Sequence, residues 1–221
     1  MKLAVLFSGG KDSCLALHKC RQEGHKINYL LNVFSENVDS FMFHKPDLKF
    51  LEMQAEQLGI ELIVISSVGE KEKELEDLEK LISQVKDKIG GIVVGGIASK
   101  YQGDRIKKIC DDLGLEFVAP LLGFSGEKIW DELLGNNFEV VLTKISCDGL
   151  GKEWIGKRIG RVELGELKKL AKKYKFRIDF EGGEAESAVL YMPGFKKSIK
   201  IDFDVESEEE YRHFMRIKKI K

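Results

Sequence analysis

The chain opens with the stretch that decides its fold, Leu3-Ala4-Val5-Leu6-Phe7-Ser8-Gly9-Gly10-Lys11-Asp12-Ser13. The apolar run Leu3–Phe7 predicts a β-strand, and a helical pattern begins at Lys11 and stops near Gly24. Two adjacent glycines let the backbone turn sharply between the strand and the helix. A loop of this kind presents backbone N–H groups at a helix start, where phosphate oxygens bind.

The same alternation of strand and helix continues through the first 120 residues. Further β-rich runs are Ile27–Phe34, Glu61–Ile65, Ile92–Gly95 and Glu116–Val118. Helical patterns between them cover about Pro46–Leu58, Lys71–Lys88 and Ser99–Leu113. We therefore expect an α/β, Rossmann-like domain over residues 1–124, with a parallel sheet and helices on both faces. Ligands of such sheets bind at the carboxyl ends of the strands.

The regular alternation of strand and helix ends after Pro120, and the pattern of residues 125–221 predicts a smaller α+β domain. Its expected elements are a helix Ser125–Leu134, an apolar run Phe138–Ile145, a basic helix Leu164–Tyr174 and an alternating strand Ile199–Val205. The final segment, 208–221, fits a strand or a helix, and we favour a strand.

Composition narrows the classes of protein. The 221 residues carry a net charge of −1, which predicts no bulk attraction to nucleic acid or to a membrane. No apolar run is long enough to span a bilayer. The four cysteines form no CxxC pair and predict reduced thiols in a cytoplasmic protein.

The loop residues Ser8, Gly9, Gly10, Lys11, Asp12 and Ser13 are the first candidate site. Hydroxyl donors and a lysine suit the phosphates of ATP, and a carboxylate beside an anion indicates Mg²⁺, with Asp12 as its ligand. The alternative is a plain Gly-Gly turn in which Asp12 or Ser13 caps the helix. A second glycine pattern, residues 151–157, fits GxxxxGK but is followed by Arg158 instead of Ser or Thr, so we predict that it holds no nucleotide.

The SGGKDS loop resembles the signature of the PP-loop ATP pyrophosphatases, which have an adenine-nucleotide α-hydrolase-like (HUP) fold. Over almost its full length the chain is similar to the diphthine–ammonia ligase family of this group. The matching segments are residues 39–44, 99–102 with Arg105 and Cys110, 120–122, 149–152, 181–186 and 193–197. Two positions depart from the family's pattern: Phe180 stands where the family has Gly, and Ser187-Ala188 where it has Thr.

The resemblance implies an enzyme that uses ATP and Mg²⁺ to adenylate the diphthine carboxylate on translation elongation factor 2. Free ammonium then gives diphthamide, AMP and pyrophosphate. It implies catalytic roles for Lys11, Asp12, Glu181, Glu184 and Glu186. From the residues alone, Glu181-Gly182-Gly183-Glu184 is equally a turn with solvated charges or a pair of carboxylates that orients ammonium or the target imidazole and accepts a proton.

Other candidates follow predicted strand ends. We expect Asn32, Tyr101, Gln102 and Arg105 to contact the nucleotide, because parallel strands place such residues near the ligand. Substrate contacts are expected from Asp39, Ser40, His44, Gly182 and Gly183.

Two other functions fit the same fold. A tRNA-modifying ATP pyrophosphatase predicts a basic face and a catalytic cysteine pair, which near-neutral charge and unpaired cysteines disfavour. A non-catalytic ATP-binding regulatory protein would bind ATP without turnover. The expected partner is elongation factor 2, with no direct nucleic-acid or membrane contact, and a homodimer is left open.

Overall fold

The computed structural model describes residues 1–35, 47–68, 71–96 and 100–221, without the side chains of residues 35, 71, 72, 100–102 and 209. These residues form two compact units: Met1–Ser8 with Asp12–Leu122, and Gly9–Lys11 with Gly123–Lys221. Whether 1–124 and 125–221 are separate domains stays a prediction. Within the described ranges, no helix has the length and apolar character needed to cross a bilayer.

The first unit is built on a five-stranded parallel sheet, as predicted. Its strands are β1 (Lys2–Leu6), β2 (Lys26–Ser35), β3 (Glu61–Ser67), β4 (Gly91–Val93) and β5 (Glu116–Val118). Its helices are α1 (Lys11–Gln22), α2 (Leu48–Leu58), α3 (Lys71–Ser83) and α4 (Lys100–Asp112). The strand order is β3-β2-β1-β4-β5, so the direction of strand addition reverses between β1 and β4. In open α/β sheets this switch point marks the ligand crevice.

Local chemistry sets the helix ends. The Asp47 side chain accepts a hydrogen bond from Phe50 N at 3.1 Å and caps α2, which ends at Gly59 with φ +64°. The helix α3 is shorter than predicted, because a separate 3₁₀ turn, Lys86–Lys88, occupies the end of the expected range. Aliphatic side chains from the strands, α3 and α4 share one buried cluster that includes Leu31, Leu78 and Ile92.

The second unit contains a four-stranded antiparallel sheet in the order β7-β6-β9-β8. Its elements are α5 (Gly126–Gly135), β6 (Glu139–Ser146), a 3₁₀ turn (Lys152–Trp154), α6 (Arg161–Tyr174), β7 (Ala185–Tyr191), β8 (Ile201–Glu209) and β9 (Arg212–Ile220). The final segment is a strand, which confirms the favoured expectation. The strand β7 was not predicted, and its first residue follows Glu184 directly.

Strand register fixes what surrounds the start of β7. Ile145 of β6 pairs with Ala185, and Ser146 N donates to Glu184 O at 2.8 Å. On the other side of β6, Ser146 pairs with Arg212 of β9. The acidic block 181–186 therefore lies at one defined end of this sheet.

Candidate functional site

In the first unit, the end of β4 closely approaches the start of α1. A Cβ atom on Gly95 would lie 2.5 Å from Ser13 N and 2.6 Å from the carbonyl carbon of Asp12. Only glycine fits such a distance, so the segment after β4 lies against the first turn of α1. This contact is at the β1/β4 switch point, where the fold predicts a ligand.

The phosphate loop has the turn geometry that its sequence predicts. Gly9 has φ +73°, in the left-handed region that favours glycine. Ser8 N donates to Ser13 Oγ at 3.3 Å, and the two hydroxyl oxygens are 3.2 Å apart. Ser13 is buried and Asp12 is partly exposed. Helix α1 begins at Lys11, so the loop leads directly into a helix N-terminus.

In the second unit, residues Gly9–Lys11 contact the segment that carries the acidic block. Lys11 Nζ donates to the Asp179 carbonyl oxygen at 2.5 Å, and Lys11 N donates to Ser187 Oγ at 3.1 Å. Val189 N donates to the Gly9 carbonyl oxygen at 3.1 Å. The structure thus brings the lysine of the predicted phosphate loop next to the predicted acidic block.

Residues 177–184 form a loop closed by its own side chains. The Arg177 guanidinium donates to both carboxylate oxygens of Asp179, at 2.9 and 2.7 Å, and Glu181 N donates to Asp179 Oδ1 at 3.1 Å. Burial alone would raise the pKa of Asp179, but these hydrogen bonds to the charged form outweigh it and lower the pKa. Glu184 accepts hydrogen bonds from Arg177 N at 3.0 Å and from Gly182 N at 2.9 Å.

The three glutamates of the block have different surroundings. Both carboxylate oxygens of Glu184 accept backbone N–H groups, which gives this residue a role in shaping the loop. Glu186 is in β7 and pairs with Lys144 at 3.1 Å. Glu181 is partly exposed, and the two glycines between the glutamates are exposed. Residues 181–184 therefore form a turn in which Glu184 organises the backbone, and the catalytic role of the carboxylates stays a prediction.

Phe180 has an unusual backbone conformation. Its φ is +60°, a region that a bulky residue rarely adopts. The residue stands at the position where the family's pattern has glycine. Its ring is buried between Phe176, at 6.3 Å between centroids, and Trp130, at 6.3 Å in an edge-to-face arrangement.

Asn32 lies near the carboxyl end of β2 and is buried. Its Nδ2 donates to the Phe7 carbonyl oxygen at 2.8 Å, whereas its Oδ1 has no hydrogen-bond partner among the described residues. Buried acceptors normally find a donor, so this oxygen fits the N–H of a ligand. The atom is adjacent to the end of β1, since Phe7 N bonds to Leu31 O at 2.8 Å.

Several candidates are not placed by the structure. Asp39, Ser40 and His44 lie outside the described residues. Tyr101 and Gln102 are in the first turn of α4, but their side chains are not described. Arg105 is half-buried on the same helix.

The GxxxxGK segment has a structural role. Residues 152–154 form a 3₁₀ turn, and Trp154 is buried beneath Lys157, whose Nζ is 4.5 Å from the ring centroid. The segment does not open a helix as a phosphate loop does, because α6 begins only at Arg161, and its lack of a nucleotide stays a prediction.

Sequence reasoning missed Asp179, Phe180 and Ser187 as neighbours of Lys11. Ser187 carried a signal, because a hydroxyl residue stands there in the family's pattern. The left-handed conformation of Phe180 also carried a signal, because glycine stands at that position in the family's pattern and favours positive φ.

Two models of known protein families match this chain, and both describe domains of the same protein. The sequence model described as the diphthamide synthase N-terminal domain matches residues 1–117, and the model of the diphthamide synthase C-terminal domain matches residues 125–221.

Curated relatives agree with these domain matches. The rat protein named diphthine–ammonia ligase is 34% identical over 91% of this chain and 83% of its own length. The human protein of the same name is 33% identical over the same shares. A solved structure from Methanocaldococcus jannaschii, described as a predicted subunit of tRNA methyltransferase, covers 90% of this chain and 99% of its own, at 18% identity and a TM-score of 0.46.

Proposed function

The chain belongs to the diphthamide synthase family, and from that premise we propose that it is an ATP-dependent ligase that converts diphthine into diphthamide with ammonia. The relatives that support this proposal are covered over more than four-fifths of their length. We propose elongation factor 2 as the protein that bears the diphthine.

One observation supports the proposal most directly. Three hydrogen bonds join Gly9–Lys11 to the segment 179–189: Lys11 Nζ to Asp179 O, Lys11 N to Ser187 Oγ and Val189 N to Gly9 O. A phosphate-binding loop beside a carboxylate-rich turn suits a reaction that joins ATP chemistry to an incoming ammonium ion. A plain Gly-Gly turn would need no such partner.

The chemistry requires an activated carboxyl group, because ammonia does not displace oxide from a free carboxylate. ATP supplies the AMP group for this activation: a carboxylate oxygen bonds to the α-phosphorus, and the bond to pyrophosphate breaks. Ammonia nitrogen then bonds to the carbonyl carbon, AMP leaves, and a proton is lost from nitrogen. The backbone N–H groups at the start of α1 and the Lys11 ammonium are suited to stabilise negative charge on the leaving pyrophosphate.

The residues present fit ATP on two structural grounds. Gly95 has no side chain, so it leaves the backbone of the first turn of α1 uncovered. Asn32 Oδ1 is a buried acceptor that suits the amino group of adenine. We propose that Asn32 helps to select the base, and that Arg105, with Tyr101 and Gln102, contacts the nucleotide.

We propose that Mg²⁺ accompanies the nucleotide and that Asp12 is its ligand from the protein. Among the described residues, no three His, Cys, Asp or Glu side chains are grouped to hold a metal ion. A single carboxylate fits Mg²⁺, which commonly takes its other ligands from phosphate and water.

The acidic block is proposed to act on the nitrogen nucleophile. Glu181 and Glu186 are suited to attract ammonium and to accept its proton. Glu184 instead holds the loop, because both of its oxygens accept backbone N–H groups. Asp39, Ser40 and His44, with Gly182 and Gly183, stay proposed contacts to the substrate.

The test is incubation of the purified protein with ATP, Mg²⁺, ammonium and elongation factor 2 that carries diphthine. We expect AMP to form only when the factor is present, and the mass of the factor to fall by about 1 Da as the –OH of the carboxyl group is replaced by the –NH2 of an amide. Lys11→Ala should abolish AMP formation, whereas Lys200→Ala, at an exposed position, should not change it.

Other outcomes would contradict the proposal. AMP formation that requires tRNA instead of the factor would indicate a tRNA-modifying enzyme. ATP binding with no AMP under any of these conditions would indicate a regulatory ATP-binding protein.

A further inference from the structure

Lys11 contacts two consecutive residues of the loop 177–184, Asp179 and Phe180. Its ammonium donates to the carbonyl oxygen of Asp179 at 2.5 Å and lies 5.8 Å from the centroid of the Phe180 ring. The side chain is only 3% exposed. A buried ammonium needs hydrogen-bond acceptors, and the face of an aromatic ring also attracts it.

The backbone at Phe180 sets where the Asp179 carbonyl group lies. With φ at +60°, the chain turns back immediately after that carbonyl, and Gly183 N donates to Phe180 O at 3.1 Å. A phenylalanine adopts this conformation only where its surroundings determine it.

The surroundings are an aromatic cluster of Trp130, Phe176 and Phe180. The rings of Phe176 and Phe180 are stacked at 26°, and Trp130 meets Phe180 edge-on at 82°. Trp130 Nε1 also donates to Ile178 O at 2.7 Å, which ties the cluster to the same loop. Aromatic packing therefore holds the loop in a conformation that the Phe180 backbone disfavours.

We propose that Phe180 is a positioning residue for Lys11: its packed ring holds the left-handed turn that directs the Asp179 carbonyl group to the ammonium, and its face covers that ammonium. The inference rests on the proposed function, because Phe180 matters for catalysis only if Lys11 contacts the phosphates of ATP. Phe180 acts through Lys11 and does not itself contact the reacting atoms.

The first measurement is the rate at which a small amine-acylating reagent modifies Lys11, followed by mass spectrometry of the folded protein without ATP. Phe180→Gly keeps the left-handed conformation accessible but removes the ring, and we expect Lys11 to be acylated about tenfold faster. Phe180→Tyr retains the ring, so we expect Lys11 in this variant to be acylated as slowly as in the wild type. Phe195→Leu removes a buried ring of the same unit that lies outside this cluster, and it is the matched control.

Thermal unfolding shows whether each variant is folded, and Phe180→Leu, which fills most of the space without an aromatic face, serves if the glycine variant is not. An acylation rate within twofold of the wild type in folded Phe180→Gly or Phe180→Leu would overturn the proposal. So would an equal acceleration in Phe195→Leu, because it would mean that loss of any buried ring loosens the unit.

The catalytic consequence is measured separately as AMP formation. We expect Phe180→Leu, which lacks the aromatic face, to lower kcat/KM for ATP and Phe195→Leu to change it little. If acylation responds as expected but the wild type forms no AMP, the positioning role stands and the proposed function fails. If the wild type forms AMP and acylation does not respond, the function stands and the role of Phe180 fails.

Discussion

At the scale of single residues, the site is defined by side chains that bond to backbone. Lys11 donates to a carbonyl oxygen, Ser187 accepts from a backbone N–H, and Glu184 accepts from two. Such bonds fix the course of the chain. They also explain why Ser187 tolerates the difference from the family's threonine, since either residue supplies the hydroxyl oxygen.

Glu184→Ala tests the loop-shaping role. Because two hydrogen bonds to a carboxylate are lost at a partly exposed position, we expect the free energy of unfolding to fall by about 1 kcal/mol. Hydrogen exchange at the amides of Arg177 and Gly182 should accelerate, and ligation should be lost while the fold persists. Glu166→Ala, at an exposed position on α6, is the control. Unchanged exchange or full ligation in Glu184→Ala would contradict the assignment.

Asp179 gives a prediction about pH. Its pKa in the folded state is lower than in the unfolded chain, so its stabilising contribution is complete above the unfolded pKa of about 4 and is lost as the pH falls through the lower folded pKa. Asp179→Asn should therefore be less stable than the wild type near neutral pH, and the difference should shrink as the pH falls below about 4.

Urea unfolding at a series of pH values measures this difference. Asp131→Asn, at an exposed position on α5, should show a much smaller difference from the wild type across the same range. A gap between Asp179→Asn and the wild type that is constant with pH would refute the argument.

At the scale of elements, the decisive feature is the approach of the β4 end to the N-terminus of α1. Only glycine fits at position 95, because a Cβ atom there would lie within 2.7 Å of three backbone atoms of Asp12 and Ser13. The two elements adjoin the switch point of the sheet, so their separation sets the shape of the phosphate-binding loop.

Gly95→Ala tests this packing. The added methyl group meets backbone that cannot move aside easily, so we expect a loss of about 1–3 kcal/mol in unfolding free energy and weaker ATP binding. Gly165→Ala is the matched control: the same change in the exposed face of α6 has open space and should be neutral or stabilising by up to about 1 kcal/mol. Calorimetric titration with ATP and thermal unfolding measure both effects. Equal ATP affinity in the wild type and Gly95→Ala would refute the link between packing and site.

Most of these elements were predictable from the sequence, because periodicity and glycine stops act locally. The parallel sheet, the phosphate loop and the final strand Arg212–Ile220 followed from such patterns. The strand Ala185–Tyr191 did not, because it begins within an acidic block whose charges resemble a solvated turn. The neighbours of Lys11 could not be predicted from the sequence either. Asp179 is 168 residues away in sequence, and the turn at Phe180 depends on ring packing.

At the scale of the whole molecule, the four cysteines distinguish between the candidate functions. Cys14, Cys20 and Cys110 are buried, and Cys147 is partly buried. Burial raises the pKa of each thiol, to about 11 for Cys147, where the nearby Glu184 and Asp148 carboxylates contribute further. A thiol of this kind is a poor nucleophile at neutral pH.

We therefore expect slow alkylation of all four cysteines by iodoacetamide in the native protein near neutral pH, and fast alkylation in urea. Cys147→Ser should retain factor-dependent AMP formation. Peptide mass spectrometry gives the extent of alkylation at each position. Rapid native labelling of one cysteine, together with loss of activity on its replacement, would favour chemistry of the thiolase type.

The second unit is discontinuous along the chain, since it consists of Gly9–Lys11 and Gly123–Lys221. During synthesis the glycines and lysine of the phosphate loop leave the ribosome first, yet their partners Asp179 and Ser187 follow 168 and 176 residues later. The earliest part of the site to be made is thus the last to be completed. An interrupted translation product that ends before these partners would carry the SGGKDS signature and still lack the hydrogen bonds that hold its lysine.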